Sequence, residues 1–399
     1  MPSQQTITIV KATAPILEEH GEALTRHFYT RLFANNPEVA PYFNSANQAG
    51  GRQQKALAAA ITAYAANIDN LEVLGNAVEL ITQKHASLMI KPEHYPIVGE
   101  NLLASIREVL GEAATDDIIA AWAEAYGFLA EIMIGREKQI YAENVARAGG
   151  WEGFKKFKVV RKQAESSNIV SFYLQPADGS APPTFKPGQY ITLRVPTPEG
   201  STTMRNYSLS DASGQDSLRI SVKREERGYV SNLLHNDIRE GDTLDLGPPC
   251  GEFFLDITEN HERPLVLLAA GIGVTPLFSI LQTALVQMPG REIVFIHGCL
   301  TPDVQAFREP LEDLSKKYPN LRLHHRYNSG SLAIDAVTST GMIDAELIEA
   351  FVPQRDADYF FCGPQPFMVG IYQELLKWGL PPAQIRFEFF GPREVLKAA

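Results

Sequence analysis

The chain has 399 residues, 45% of them hydrophobic and 21% charged, with a formal net charge of −11. That length exceeds one ordinary core and predicts two or three domains. An acidic balance with no dense Lys/Arg block argues against nucleic acid as the main partner, and no uninterrupted apolar run is long enough to span a bilayer. Cys250, Cys299 and Cys362 are far apart and odd in number, so neither a disulfide framework nor a CxxC metal site is expected. The N-terminus lacks the basic and apolar regions of a secretory signal, and a reducing, cytoplasmic setting follows as the expectation.

From residue 1 to 147 the hydrophobic period is helical. Leu17, Leu24, Phe28 and Leu32 share one face; Leu57, Ile61, Tyr64 and Ile68 share another. Val78, Ile81, His85 and Leu88 form a third, Val98, Leu102, Ile106 and Val109 a fourth, and Trp122, Tyr126, Leu129 and Met133 a fifth. With Pro37, Pro41, Pro92 and Pro96 at the joins, this predicts an all-α domain of six or more helices. The period changes after Gly149-Gly150-Trp151. Over 151–258 short alternating strands prevail (Val170/Phe172/Leu174, Ile191/Leu193/Val195, Leu218/Ile220/Val222, Leu244/Leu246), separated by turn signals, which predicts a small antiparallel β-barrel. Over 259–399 the strands become continuous apolar runs, Leu265–Ala270 and Ile293–Ile296, alternating with helices such as 277–287. That is the pattern of a parallel α/β sheet covered on both faces.

Several polar residues interrupt these apolar faces. A lone histidine such as His85 on a buried stripe is ordinarily a satisfied core residue. Yet Glu137 extends the Leu129, Met133 stripe, and Gln53 leads the stripe Leu57, Ile61, Tyr64. Buried carboxylates need partners, and polar groups facing one core from three helices are what a cofactor pocket requires. In the barrel segment, Arg205-Asn206-Tyr207-Ser208 follows Pro187-Gly188-Gln189-Tyr190 and precedes Gly228-Tyr229-Val230-Ser231. In the last segment, Gly271-Ile272-Gly273-Val274-Thr275-Pro276 follows a strand and opens a helix. Its glycines let backbone approach a phosphate at a helix N-terminus.

In these motifs and their order the whole chain resembles the flavohemoglobins, a bacterial globin fused to a ferredoxin–NADP reductase-like module. The resemblance implies haem b, FAD and NAD(P)H as cofactors. It makes His85, in Lys84-His85-Ala86-Ser87, the proximal ligand of the haem iron, with Tyr95 and Glu137 completing a hydrogen-bonded triad. A carboxylate on the far imidazole nitrogen gives an electron-rich ligand, which favours oxygen chemistry over storage. Tyr29 would point its hydroxyl at bound dioxygen, Gln53 and Leu57 would line the same pocket, and Phe43 would pack on the porphyrin. Lys84 would lie beside a propionate or near the flavin, or simply in solvent. His94 is a rival ligand, but it sits near a helix start rather than within a stripe.

The same resemblance assigns Arg205, Asn206, Tyr207 and Ser208, with Gln189, Tyr190, Gly228, Val230, Ser231, Glu388 and Phe390, to FAD. Arginine reads a pyrophosphate by paired bonds. Asn206 replaces an expected glutamine and would point away from the flavin. Gly271, Ile272, Gly273, Val274, Thr275 and Pro276, then Cys362, Gly363 and Pro364, and finally Phe389, Phe390, Gly391 and Pro392, are assigned to NAD(P). Arg291, Arg308 and Arg326 are candidates for a 2′-phosphate. The implied activity is nitric oxide dioxygenation to nitrate by a monomer, with nitric oxide and dioxygen as substrates. A lipid in the apolar distal pocket, a dioxygen-binding or sensing globin, and a general flavin reductase stay open as alternatives.

Overall fold

Ser3 opens the first helix by accepting the backbone N–H of Thr6, and α1 (Gln4–Asn35) runs from it for 32 residues. Pro15 lies within α1 without ending it. The lost backbone bond is offset by a continuous buried face of Val10, Leu17, Leu24, Phe28 and Leu32. The computed structural model describes residues 1–43, 51–258, 262–329 and 337–391. After α1 come α2 (Arg52–Ala66), α3 (Gly75–Ser87), α4 (His94–Leu110) and α5 (Asp116–Ala146). Thr115 caps α5 through the N–H of Ile118, and Asp116 and Asp117 face its positive end.

Among the described residues this segment holds five α-helices, with short 3-10 turns at 37–42, 71–74 and 111–113. Pro96 lies not at a join but in the first turn of α4, where its missing N–H costs nothing. By length and composition alone α5 would suffice to cross a bilayer. In this fold α5 packs on α1, α3 and α4 and buries Glu137 among them.

The second unit holds β1 (Lys155–Ser166), β2 (Ile169–Pro176), β3 (Tyr190–Pro196), β4 (Thr202–Ser208), β5 (Leu218–Lys223), α6 (Tyr229–Asn236) and β6 (Thr243–Leu246). Its antiparallel order is β4-β3-β6-β1-β2-β5, and the Leu209–Ile220 bridge brings the two edge strands together, closing the barrel. Phe157, Val159, Phe172, Leu174, Ile191 and Leu193 fill the interior. The third unit runs β7 (Leu265–Ala270), α7 (Val274–Gln287), β8 (Ile293–Cys299), α8 (Arg308–Lys317), β9 (Leu321–Tyr327), β10 (Thr338–Thr340), α9 (Ala345–Phe351), β11 (Asp358–Cys362), α10 (Gln365–Lys377) and β12 (Ile385–Glu388). Its sheet is parallel, in the order β10-β9-β8-β7-β11-β12, with a separate apolar cluster on each face. The chain winds outward one way from β7 and the other way from β11, so a crevice opens at the carboxyl ends of these two neighbours.

Candidate functional site

Three helices bring His85, Tyr95 and Glu137 to one point. His85 Nδ1 lies 2.8 Å from Glu137 Oε1 and 3.2 Å from the Tyr95 hydroxyl, which itself donates to Glu137 Oε1 at 2.6 Å. The carboxylate only accepts, so the imidazole proton belongs on Nδ1. Nε2 then carries the free lone pair and has no protein partner among the described residues, as an axial iron ligand requires. Glu137 is 2% exposed and would be costly there without its two donors. Desolvation, reinforced by the Glu137 bond, holds the Tyr95 hydroxyl protonated far above the usual phenol range.

The surroundings fix this geometry. Tyr126 donates to the Tyr95 carbonyl at 2.7 Å, and its ring covers Gly99 so closely that a Cβ there would lie 2.6 Å from Cε1. Next to Glu137, Arg136 grips Glu79 with two bonds of 2.7 and 2.9 Å, tying α5 to α3. His94 is spent elsewhere: its Nδ1 accepts the Lys91 N–H at 3.1 Å and its ring lies on Tyr42.

Tyr29 is 6% exposed, within an aromatic cluster of Phe28, Phe33 and Phe43. The Gln53 amide donates to its hydroxyl, while burial keeps that hydroxyl protonated well above the usual range. Gln53 Oε1 is buried without a partner. Leu57 packs against the same cluster. An apolar pocket with one phenol is chemically suited to a haem whose bound ligand takes a hydrogen bond, which the Tyr29 hydroxyl can donate and the Gln53 oxygen cannot.

The barrel docks directly on the His85 helix, a feature that motif reading missed. Gly251 N donates to Gln83 Oε1 at 3.0 Å, Asn206 Nδ2 donates to Ser87 Oγ at 3.2 Å, and Lys84 Nζ lies 5.6 Å from the Tyr190 ring centroid. Lys84 keeps exposed surface, but crowding by the barrel lowers its pKa, with Glu388 opposing. Beyond the helix, Arg147 reaches Gln189 Oε1 and the Pro249 carbonyl at 3.3 and 3.1 Å. Gln83 and Ser87 stand four residues apart, and that spacing was the available signal for this face.

On β4 the register Tyr190–Ser208 and Leu193–Arg205 puts Arg205 and Tyr207 on one face and Asn206 and Ser208 on the other. Arg205 Nη1 is bound by Thr203 Oγ1 and the Met204 carbonyl, and its other guanidinium N–H groups have no protein partner among the described residues. They suit a phosphate. Gln189 instead has protein partners throughout: Lys186 N, the Gly251 carbonyl and Arg147. The Gly228 turn is braced by Ser231, which accepts from Glu225 N and donates to the Gly228 carbonyl, while Val230 is buried.

In the α/β unit, Gly271–Gly273 and Cys362–Pro364 meet in the crevice. A Cβ on Gly273 would run into the Cys362 carbonyl, and one on Gly363 would lie 2.7 Å from Ala270 Cβ. Val274, Thr275 and Pro276 begin α7 behind the loop. The Cys362 thiol is buried, which raises its pKa well above normal, and its strand register sets Cys362 beside Glu388. Phe389 packs against the core, Phe390 is 50% exposed, Gly391 follows, and Pro392 lies outside the described residues. Arg291 is withdrawn as a 2′-phosphate ligand, because it is buried against Asp358 at the opposite end of the strands. Arg308 pairs with Glu312, and Arg326 binds Ser339 and the Met342 carbonyl.

Comparison with known proteins places three family models along the chain: the globin model on 26–133, the oxidoreductase FAD-binding domain on 156–255 and the oxidoreductase NAD-binding domain on 267–373. A flavohemoprotein from Bordetella pertussis is 50% identical over 399 residues, covering 98% of this chain and 99% of its own. The crystal structure of a flavohemoglobin from Malassezia yamatoensis with bound FAD and haem superposes with a TM-score of 0.85 at 28% identity, over 98% of this chain and 99% of its own. The FAD/NAD-binding domain of a nitric oxide dioxygenase from Vibrio cholerae matches 59% of this chain and 97% of its own, at 35% identity and a TM-score of 0.53.

Proposed function

We propose that this chain, which belongs to the flavohemoprotein family, is a nitric oxide dioxygenase of the cytoplasm, built as a globin over 1–147, an FAD barrel over 151–258 and an NAD(P) unit over 259–399. Bound haem would supply the iron for dioxygen chemistry, and FAD the conversion of a hydride into single electrons. His85 would hold the iron through Nε2, with Glu137 and Tyr95 keeping its Nδ1 proton and drawing charge toward the ligand. Tyr29 and Gln53 would offer the only polar contacts assigned to bound dioxygen. Arg205 and the Gly228 turn would hold FAD phosphates, and Gly271–Pro276 those of NAD(P)H, with Phe390 covering the flavin face.

The observation that carries this reading is the buried Glu137 bound to the histidine, because storage of dioxygen needs no such electron-donating partner. All three cysteines are free thiols, which supports a reducing compartment. The test is nitric oxide consumption at an electrode, using haem- and FAD-replete protein with NADH, with and without dioxygen. Rapid loss that requires dioxygen and yields nitrate is expected. Persistence of nitric oxide while NADH is oxidised would return the chain to the binding-globin or flavin-reductase alternatives. Tyr29→Phe should slow turnover about a hundredfold or more, the usual cost of removing one preorganised donor. Unchanged turnover would remove Tyr29 from that role.

A further inference from the structure

A buried polar chain lies directly beneath the Gly271–Gly273 loop. His297, on β8, places Nε2 3.0 Å from the Gly271 carbonyl oxygen. A carbonyl only accepts, so Nε2 carries the proton and Nδ1 must accept. Gln305 Nε2 meets that requirement at 3.2 Å and gives its second proton to His325 Nδ1 at 2.8 Å. The Gln305 oxygen accepts the Tyr327 hydroxyl, which settles the amide's orientation. His325 Nε2 then faces Glu312 Oε1 at 3.8 Å. Cys299 Sγ lies 3.3 Å from His297 Nε2, with burial pushing its thiol up to about 12. The Gly271 carbonyl at one end and the Tyr327 hydroxyl at the other thus agree on one tautomer for His297 and one orientation for Gln305, and the near end of the chain is the dinucleotide loop.

We propose that His297, with its tautomer set by Gln305, is a positioning residue for the nicotinamide dinucleotide, drawing the Gly271 carbonyl inward so that the next N–H faces the ligand. The inference rests on the reading of Gly271–Pro276 as the dinucleotide site. Its physical basis is the planar trans peptide, in which C=O and N–H point in opposite directions. Pulling the Gly271 oxygen into the core turns Ile272 N–H out toward the crevice. Gly271 has φ +55°, which a glycine adopts without strain, so the loop needs an external contact to choose this conformation. Gly273 is held from the other side by the Cys362–Gly363 backbone. His297 supplies a side-chain anchor from below, on the same Gly271 oxygen that accepts the Val274 N–H and lies near the Cys299 thiol.

The test uses holoenzyme carrying haem and FAD, with NAD⁺ affinity measured by calorimetry and flavin reduction by NADH followed in stopped flow. His297→Phe keeps the volume but removes the imidazole N–H from the Gly271 oxygen, which keeps the Val274 N–H, and leaves one Gln305 N–H without its acceptor. It should weaken NAD⁺ binding about tenfold, while the limiting rate of flavin reduction stays within about twofold. His297→Gln, which restores an amide N–H, should recover most of the affinity. Unchanged affinity in a His297→Phe protein with normal haem and FAD content overturns the proposal, and so does equal weakness of the Phe and Gln variants. If His297→Phe fails to fold, Gln305→Leu decides: binding about threefold weaker supports the proposal and unchanged binding overturns it. Gly273→Val separates the two levels, since its side chain would strike the Cys362 backbone. If that variant binds NAD⁺ normally, the site reading itself fails; if it loses binding while His297→Phe does not, only the positioning role fails.

Discussion

At the scale of single residues, the Glu137 carboxylate is the point on which the proximal site turns. It accepts both the His85 imidazole proton and the Tyr95 hydroxyl on one oxygen. Glu137→Gln keeps the shape and removes the charge. Haem should still be retained, because His85 Nε2 is untouched, while nitric oxide turnover falls about ten- to a hundredfold, the usual effect of altering a ligand's outer partner. Tyr95→Phe leaves the His–Glu bond in place and should cost only a few-fold. Turnover at an electrode, normalised to haem absorbance, checks both, and a Gln variant as active as the native protein would refute the assignment. Sequence showed that His85 and Glu137 each break an apolar stripe. It could not show convergence, because Tyr95 and Glu137 are 10 and 52 residues from His85, and their meeting depends on how α3, α4 and α5 cross. Only the family resemblance joined them in advance.

At the scale of elements, legibility followed how many residues each strand buries. β2, β3 and β5 alternate cleanly or are buried throughout, and their positions were readable. β1 was missed: of its twelve residues only Phe157 and Val159 are fully buried, and the rest are dominated by Lys, Arg and Glu that read as loop. One of them has a structural task. Lys162 Nζ donates to the carbonyls of Leu234, His235 and Ile238, closing the C-terminal end of α6, the helix that begins at the Gly228 turn. Lys162→Met should destabilise this corner by about 1–2 kcal/mol. The readout is flavin fluorescence on heating, with FAD released at a lower temperature than in the native protein and haem absorbance unchanged at that point. β8 gives a second prediction at this scale. Burial pushes the His297 imidazole down to about 3 from an ordinary 6.5, with the Gly271 carbonyl opposing and His325 assisting. The unfolded chain takes up this proton near pH 6.5 and the native protein does not. The contribution of His297 to stability is therefore intact above pH 6.5 and is lost as pH falls toward 3, by about 1.4 kcal/mol per unit. His297→Phe should accordingly unfold with a shallower acid dependence than the native protein between pH 6 and 4, and parallel curves would count against it.

At the scale of the whole molecule, one helix serves both redox partners. α3 turns His85 toward Glu137 and Tyr95 on one side and presents Gln83, Lys84 and Ser87 to the barrel on another, so the flavin unit is registered against the helix that bears the proposed iron ligand. Sequence boundaries gave the order of the three units but not this contact, since nothing in a domain's own periodicity reports which helix its neighbour will cover. The contact is buried: Gln83 is 8% exposed and its oxygen receives the Gly251 N–H. Gln83→Leu leaves that N–H without a partner at about 1–3 kcal/mol, enough to loosen the docking without unfolding either unit. Two rates then separate. Reduction of the flavin by NADH, read with ferricyanide as acceptor, should be unchanged, because the crevice between β7 and β11 is far along the chain from this contact. Reduction of the haem by NADH should slow about three- to tenfold, because electron transfer depends on the register between barrel and helix. Equal slowing of both would mean that Gln83 acts through general stability. No slowing of either would mean that Asn206–Ser87 and Arg147–Gln189 hold the register on their own, and the double variant Gln83→Leu, Asn206→Ala would then be the one to show it.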